Sequence, residues 1–133
     1  MSSFFYYLLR ILINSALIMK KPERIPLLKE CYEYSIGLIK FVDNLTENGK
    51  EAIAKRLYTS CIGMSYSLLY SHFSSKSSEY AGIIKRAAKY IDETIYWLKQ
   101  CQQSSSYPHN EELLAEGLAL QQSFIDIFYP DKN

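Results

Sequence analysis

The chain has 133 residues with fifteen basic and fourteen acidic side chains, so it is one domain, large enough to bury a core without disulfides or metal, and it carries no overall basic field for nucleic acid or anionic membrane. Gly and Pro are scarce and Tyr is abundant at twelve copies, a composition that suits an all-helical protein. Cys31, Cys61 and Cys101 stand at wide, unrelated spacings with no C-x-x-C, which argues against a disulfide framework or a zinc site and for a reducing, cytoplasmic compartment.

Phe4 to Met19 is almost continuously apolar. No basic residue precedes it and no small-x-small site closes it, as a secretory signal would need. Sixteen residues are marginal for a bilayer, and Arg10 near the centre costs roughly 2.5 to 3.5 kcal/mol on insertion scales. Ser3, Tyr7, Arg10 and Asn14 fall on one side of a helix, leaving a wide apolar face for the bundle, a partner or a membrane surface. The alternative is a natural start at Met19, ahead of Lys20-Lys21-Pro22-Glu23-Arg24. If the segment spans a membrane, Lys20, Lys21 and Arg24 hold the following domain in the cytoplasm. The organisation expected is thus an apolar segment, 1–19, and a bundle domain, 20–133.

From Ile25, the apolar positions Leu28, Cys31, Tyr32, Ser35, Leu38, Ile39, Val42 and Leu45 predict a first helix ending near Asp43 to Leu45, with Pro26 in its first turn. Thr46-Glu47-Asn48-Gly49 reads as a short loop offering Thr46 or Asn48 as N-cap to the next helix. That helix, to about His72, repeats apolar residues at Ile53, Leu57, Cys61, Met64 and Leu68, with Ser60, Gly63 and Ser67 interleaved. Ser74-Ser75-Lys76-Ser77-Ser78 then turns the chain, one serine capping a third helix that carries Tyr80, Ile83, Ile84, Ala87, Ile91, Ile95 and Leu98 on one stripe and ends near Cys101. A polar stretch with Pro108 follows, then Asn110 as N-cap, with Glu111 and Glu112 complementing the helix dipole. The last helix is expected to bury Leu113, Leu114, Gly117, Leu120, Phe124, Ile127 and Phe128, with Pro130 ending it. Four such helices with short connections predict an all-α, up-down-up-down antiparallel four-helix bundle, to which the N-terminal segment adds an extra helix if it packs there.

Within Cys31 to Leu98 the order of residues resembles the four-helix-bundle proteins encoded in 23S ribosomal RNA intervening sequences, a family similar in turn to the accessory variability proteins of diversity-generating retroelements. In the third helix, Ser78-Glu79-Tyr80 resembles the family's S-x-E-F opening, Ala87 the alanine of its I-A-L step, Glu93 its glutamate and Tyr96-Trp97-Leu98 the Y-W-L of some members. In the second, Leu57, Ser60, Leu68 and Ser71 fit in kind, but Thr59, Gly63, Ser67 and Tyr70 stand where the family has a basic residue, serine, asparagine and glutamate. The resemblance implies a homo-oligomer, commonly a pentameric ring, an association with RNA or a ribonucleoprotein such as a reverse transcriptase complex, and no enzyme activity. With the second helix changed at these positions, any role of the family's polar cluster is expected to be lost or rebuilt in this chain.

Lys55 and Arg56, with Lys85, Arg86 and Lys89, form the candidate RNA-binding patches, Tyr58 or Tyr90 offering stacking surfaces nearby. The competing reading, favoured by the balanced charge, is a solvated helix face in which Lys89 pairs with Glu93. Tyr66, Tyr70, Tyr80 and Tyr96 exceed what one core stripe needs and are the candidate oligomer interface, weighed against ordinary packing in the bundle. His72 and His109 stand beside no nucleophile and read as surface or loop residues. Glu93, Glu112 and Glu116 lack the Glu-x-x-His pairs of carboxylate-bridged metal bundles, so no metal, other cofactor or catalytic residue is expected. The reading is a non-enzymatic oligomeric scaffold or adaptor, alternatively an RNA-binding accessory subunit or a membrane-tethered bundle.

Overall fold

Four amphipathic segments form four helices in a computed structural model of the protein, which describes residues 25–72 and 77–128 together with Arg10. They are α1 (Ile25–Glu47), α2 (Glu51–His72), α3 (Ser77–Gln102) and α4 (Glu111–Phe128). Each helix packs on the next in sequence and α4 closes back on α1, so the fold is an antiparallel four-helix bundle. The α2–α3 pair is the most intimate contact and the α1–α4 pair the loosest of these four.

The first connection is built differently from the sequence expectation. Helix α1 runs on through Glu47 because residues 45–50 form a Schellman C-cap: Lys50 N–H donates to the Leu45 carbonyl at 2.8 Å and Gly49 N–H to that of Thr46 at 3.0 Å. Gly49 takes φ +76°, the left-handed conformation that this cap requires and that glycine adopts without Cβ strain. Neither Thr46 nor Asn48 caps α2. The Thr46 hydroxyl donates back to the Val42 carbonyl, and the Asn48 amide donates to the Asn44 carbonyl at 2.7 Å. At the other connection at this end of the bundle, the cap is as expected: Leu113 N–H donates to Asn110 Oδ1 at 2.9 Å. Lys50 lies with its ammonium 4.6 Å from the Tyr107 ring centre, tying the two connections together.

The core follows the helical stripes. Leu38, Ile39, Leu45, Leu57, Met64, Ile84, Ile91, Leu120 and Phe124 are all but fully enclosed, each such side chain stabilising the fold by about 1.5–3 kcal/mol relative to exposure. Residues outside the expected stripes join them: Tyr34, Phe41, Ser65, Leu69 and Thr94 are buried. Thr94 is accommodated because its hydroxyl donates to the Tyr90 carbonyl one turn back. Ile127, expected inside, lies in the last turn of α4 and is 37 % exposed. The side chain of Phe128, the capping serines ahead of Ser77, Pro130 and the apolar segment 4–19 lie outside the described residues. Among the described residues no helix is long and apolar enough to cross a membrane.

Candidate functional site

Two hollows lie along the outer seam between α2 and α3. The first, about 440 Å³, is lined by Ala52, Lys55, Arg56, Thr59 and Glu93. The second, about 400 Å³, is lined by Tyr66, Ser67, Tyr70, Ile83 and Arg86. Between them Tyr90 lies flat on Gly63: a Cβ there would come within 2.4 Å of the ring's Cε1 and Cζ. That glycine is what lets the two backbones approach, and it stands where the resembled family has a serine. The seam is thus small residues at the bottom, aromatic rings at the middle and one end, and cations along the rim.

At the first hollow the Arg56 guanidinium sits 5.0 Å from the Trp97 ring centre, and Tyr96 meets Trp97 edge-on at 4.9 Å. The indole Nε1 is enclosed without a hydrogen-bond partner among the described residues. At the second hollow Tyr66 and Tyr70 are 51 % and 70 % exposed, large aromatic surfaces offered to solvent beside a cation. Neither ring belongs to the core cluster.

The seam gathers Lys55, Arg56, Arg86, Tyr66 and Tyr70 from the residues singled out in the sequence, and Tyr96 flanks it, 54 % exposed. Tyr80 is placed elsewhere. It is half-buried and packs against the core, because it shares the stripe of Ile84 and Ala87. Lys85 and Lys89 are exposed on α3 and line neither hollow, so the five cations do not form one patch. Glu93, expected to pair with Lys89, instead shares the first hollow with Lys55 and Arg56. Sequence reading passed over Trp97 and Glu93 as seam residues. The signal was the i, i+4, i+7 and i+11 spacing of Arg86, Tyr90, Glu93 and Trp97, which places all four on one side of α3.

The opposite side of the bundle, between α1 and α4, is a cleft of about 300 Å³ lined by Glu30, Glu33, Tyr34, Glu116, Ala119 and Leu120. Glu116 and Glu93, weighed in the sequence as metal ligands, therefore lie on opposite faces, and Glu112 is exposed in the first turn of α4. No group of three or more His, Cys, Asp or Glu among the described residues has metal-binding geometry. The Ser123 hydroxyl donates to the Glu30 carboxylate at 3.1 Å across this seam. Tyr34 is 3 % exposed, its hydroxyl lacks a hydrogen-bond partner among the described residues, and its tip stands 2.7 Å from the Cβ position of Gly117. Burial, then the neighbouring Cys61, Glu116 and Cys31, push its ionisation well above the ordinary tyrosine range.

Inside the bundle, Ser35 and Ser65 share a 3.0 Å hydroxyl–hydroxyl bond across α1 and α2, and Cys31 Sγ lies 3.9 Å from Ser35 Oγ. Burial pushes the Cys31 and Cys61 thiols up to about 12, and burial also raises Cys101. Such thiols are small hydrophobes with negligible thiolate at neutral pH, the wrong state for nucleophilic attack. His109 is exposed in the 103–110 connection, where Nε2 donates to the Ser104 carbonyl at 3.0 Å; the side chain of His72 lies outside the described residues.

No protein-family model, curated protein or solved structure matches the chain. The likeness to the intervening-sequence proteins therefore rests on the α2 and α3 residues themselves, and of these Gly63, Ser67 and Tyr70 lie on the seam where the chain departs from that pattern.

Proposed function

We propose that the protein is a non-enzymatic, cytoplasmic scaffold that assembles with further copies of itself through the α2–α3 seam. The observation that carries this reading is the exposure of Tyr66 and Tyr70 beside Arg86, on the side of the molecule where Arg56 stacks on Trp97. Tyr, Trp and Arg are the residue types that dominate binding energy when a partner desolvates them. The resemblance to the intervening-sequence proteins implies a pentameric ring as the assembly. Multi-angle light scattering of the full chain tests the reading: a mass of several chains is expected, and a monomer from about 1 to 200 μM, roughly the window of ordinary protein associations, refutes it.

A second reading has its own observation. Lys55, Arg56 and Arg86 rim a seam that also presents open aromatic faces, the combination that holds phosphates and stacks unpaired bases. It makes the protein an RNA-binding accessory subunit, acting beside a reverse transcriptase or ribosomal RNA. Fluorescence anisotropy with a single-stranded RNA would then show affinity falling steeply with salt. Absent binding, or binding indifferent to salt, removes it.

A further inference from the structure

The near-neutral net charge hides a separation across the bundle. Helices α1 and α4 together carry eight acidic side chains and two basic ones, α4 having no basic residue at all, whereas α2 and α3 carry six basic and four acidic. In a ring of helices packed in sequence order, the α1–α4 seam lies opposite the α2–α3 seam. One side is therefore acidic with a cleft, the other basic with protruding rings. Helix α4 adds apolar surface: Leu118 and Ile125, two turns apart, are 42 % and 39 % exposed.

We infer that copies of the chain join head to tail, the basic and aromatic α2–α3 seam of one copy docking on the acidic α1–α4 seam of the next. The inference rests on the scaffold reading above and specifies its partner. Two features of the cleft point to a basic group as occupant. Glu30, Glu33 and Glu116 supply acceptors, and among the described residues only Ser123 is bonded to any of them across the seam. Tyr34, enclosed at the cleft's inner wall, holds a hydroxyl without a partner among the described residues, which a guanidinium reaching inward would satisfy. Arg56 and Arg86 stand on the rim of the opposite seam and are exposed; Arg56 lies over the Trp97 ring, and Arg86 is the long, planar donor offered to the cleft. Two faces that differ cannot pair isologously with themselves; the contact is heterologous and closes into a ring, or extends as a filament, according to its rotation.

The test uses two full-length variants and their mixture. One is Arg56→Glu/Arg86→Glu, which spoils the basic seam; the other is Glu33→Lys/Glu116→Lys, which spoils the acidic one. All four positions are exposed, and circular dichroism checks that each variant folds. Should either misfold, Arg86→Gln and Glu116→Gln replace them. Each variant alone is expected to be monomeric in light scattering, and an equimolar mixture is expected to assemble again, because the pair retains one intact seam of each kind and its two reversed seams are once more opposite in sign. The wild-type mass is expected to fall as salt rises from 50 to 500 mM, roughly the range over which surface charges become screened. If the wild type is oligomeric but the mixture stays monomeric, or either variant keeps the wild-type mass, head-to-tail pairing is overturned while the scaffold reading stands. A wild type that is monomeric throughout, or that carries nucleic acid in place of further copies, overturns both.

Discussion

Gly63→Ala isolates the contact that sets the spacing of the α2–α3 pair. The added Cβ would stand 2.4 Å from Cε1 and Cζ of Tyr90 and 2.8 Å from Cδ1, so the whole ring face, not one atom at its tip, must withdraw by about an ångström to reach ordinary van der Waals distance. Overpacking of this kind costs about 1–3 kcal/mol. Against it, alanine in a helix interior is about 1 kcal/mol better than glycine. Gly82→Ala supplies the reference, since Gly82 is exposed in α3 with nothing within 4 Å of its Cβ position, and only the propensity gain applies there. The two variants should therefore differ by about 1–3 kcal/mol, Gly82→Ala more stable than the wild type and Gly63→Ala equal to it or less stable. For a domain of this length, that separates their Tm values by roughly 4–12 °C. Urea or thermal unfolding followed at 222 nm measures it, at one fixed protein concentration because assembly would shift the midpoint. The double variant Gly63→Ala/Tyr90→Leu should recover part of the loss, as a coupling of 0.5 kcal/mol or more. If Gly63→Ala stabilises as much as Gly82→Ala, Tyr90 yields at no cost and the close approach does not depend on glycine.

Ser35→Ala and Ser65→Ala each leave a buried hydroxyl without its partner across α1 and α2, at a cost of about 1–3 kcal/mol, whereas the double variant should cost less than the sum when unfolded in urea. Asn110→Ala removes the bond to Leu113 N–H and should lower stability by about 1 kcal/mol, while Asn110→Ser should hold it in the same assay. The Cys31 and Cys61 thiols ionise near 9 when unfolded and near 12 when buried, so above pH 9 the unfolded state releases protons that the folded state retains. Stability is then unaffected by these thiols below pH 9 and falls between pH 9 and 12 by about 1.4 kcal/mol per pH unit for each. Unfolding midpoints at pH 8 and 10 measure the slope, and Cys31→Ala should reduce it; an unchanged slope would sink the assignment. All three thiols should resist a water-soluble disulfide reagent in the native state at pH 8 and react once the protein is unfolded.

Much of the bundle is legible in the chain because the information is local. The stripes of Leu38, Ile39 and Leu45, of Leu57, Met64 and Leu68, and of Ile84, Ile91 and Leu98 recur at helical period and are the core. Asn110 before two glutamates announces a helix start by side-chain chemistry that acts over one turn. The first connection misled for an equally physical reason: Thr46 and Asn48 are good N-caps in isolation, but Gly49 in the left-handed conformation lets α1 close on itself first, and their side chains bond backward. Tyr80 and Tyr66 look alike in the chain, and only the direction of the neighbouring helix buries part of one and leaves the other open.

By itself, then, the sequence determined the order and apolar faces of the four described helices, since periodicity and capping depend on neighbours three or four positions away. The candidate site belongs to the tertiary structure. Lys55 and Glu93, or Tyr66 and Arg86, are far apart along the chain and share a hollow only because Gly63 admits the Tyr90 ring between α2 and α3. The separation of charge is likewise invisible in a total of fifteen against fourteen; it arises when the ring of helices sets α1 and α4 on one side and α2 and α3 on the other.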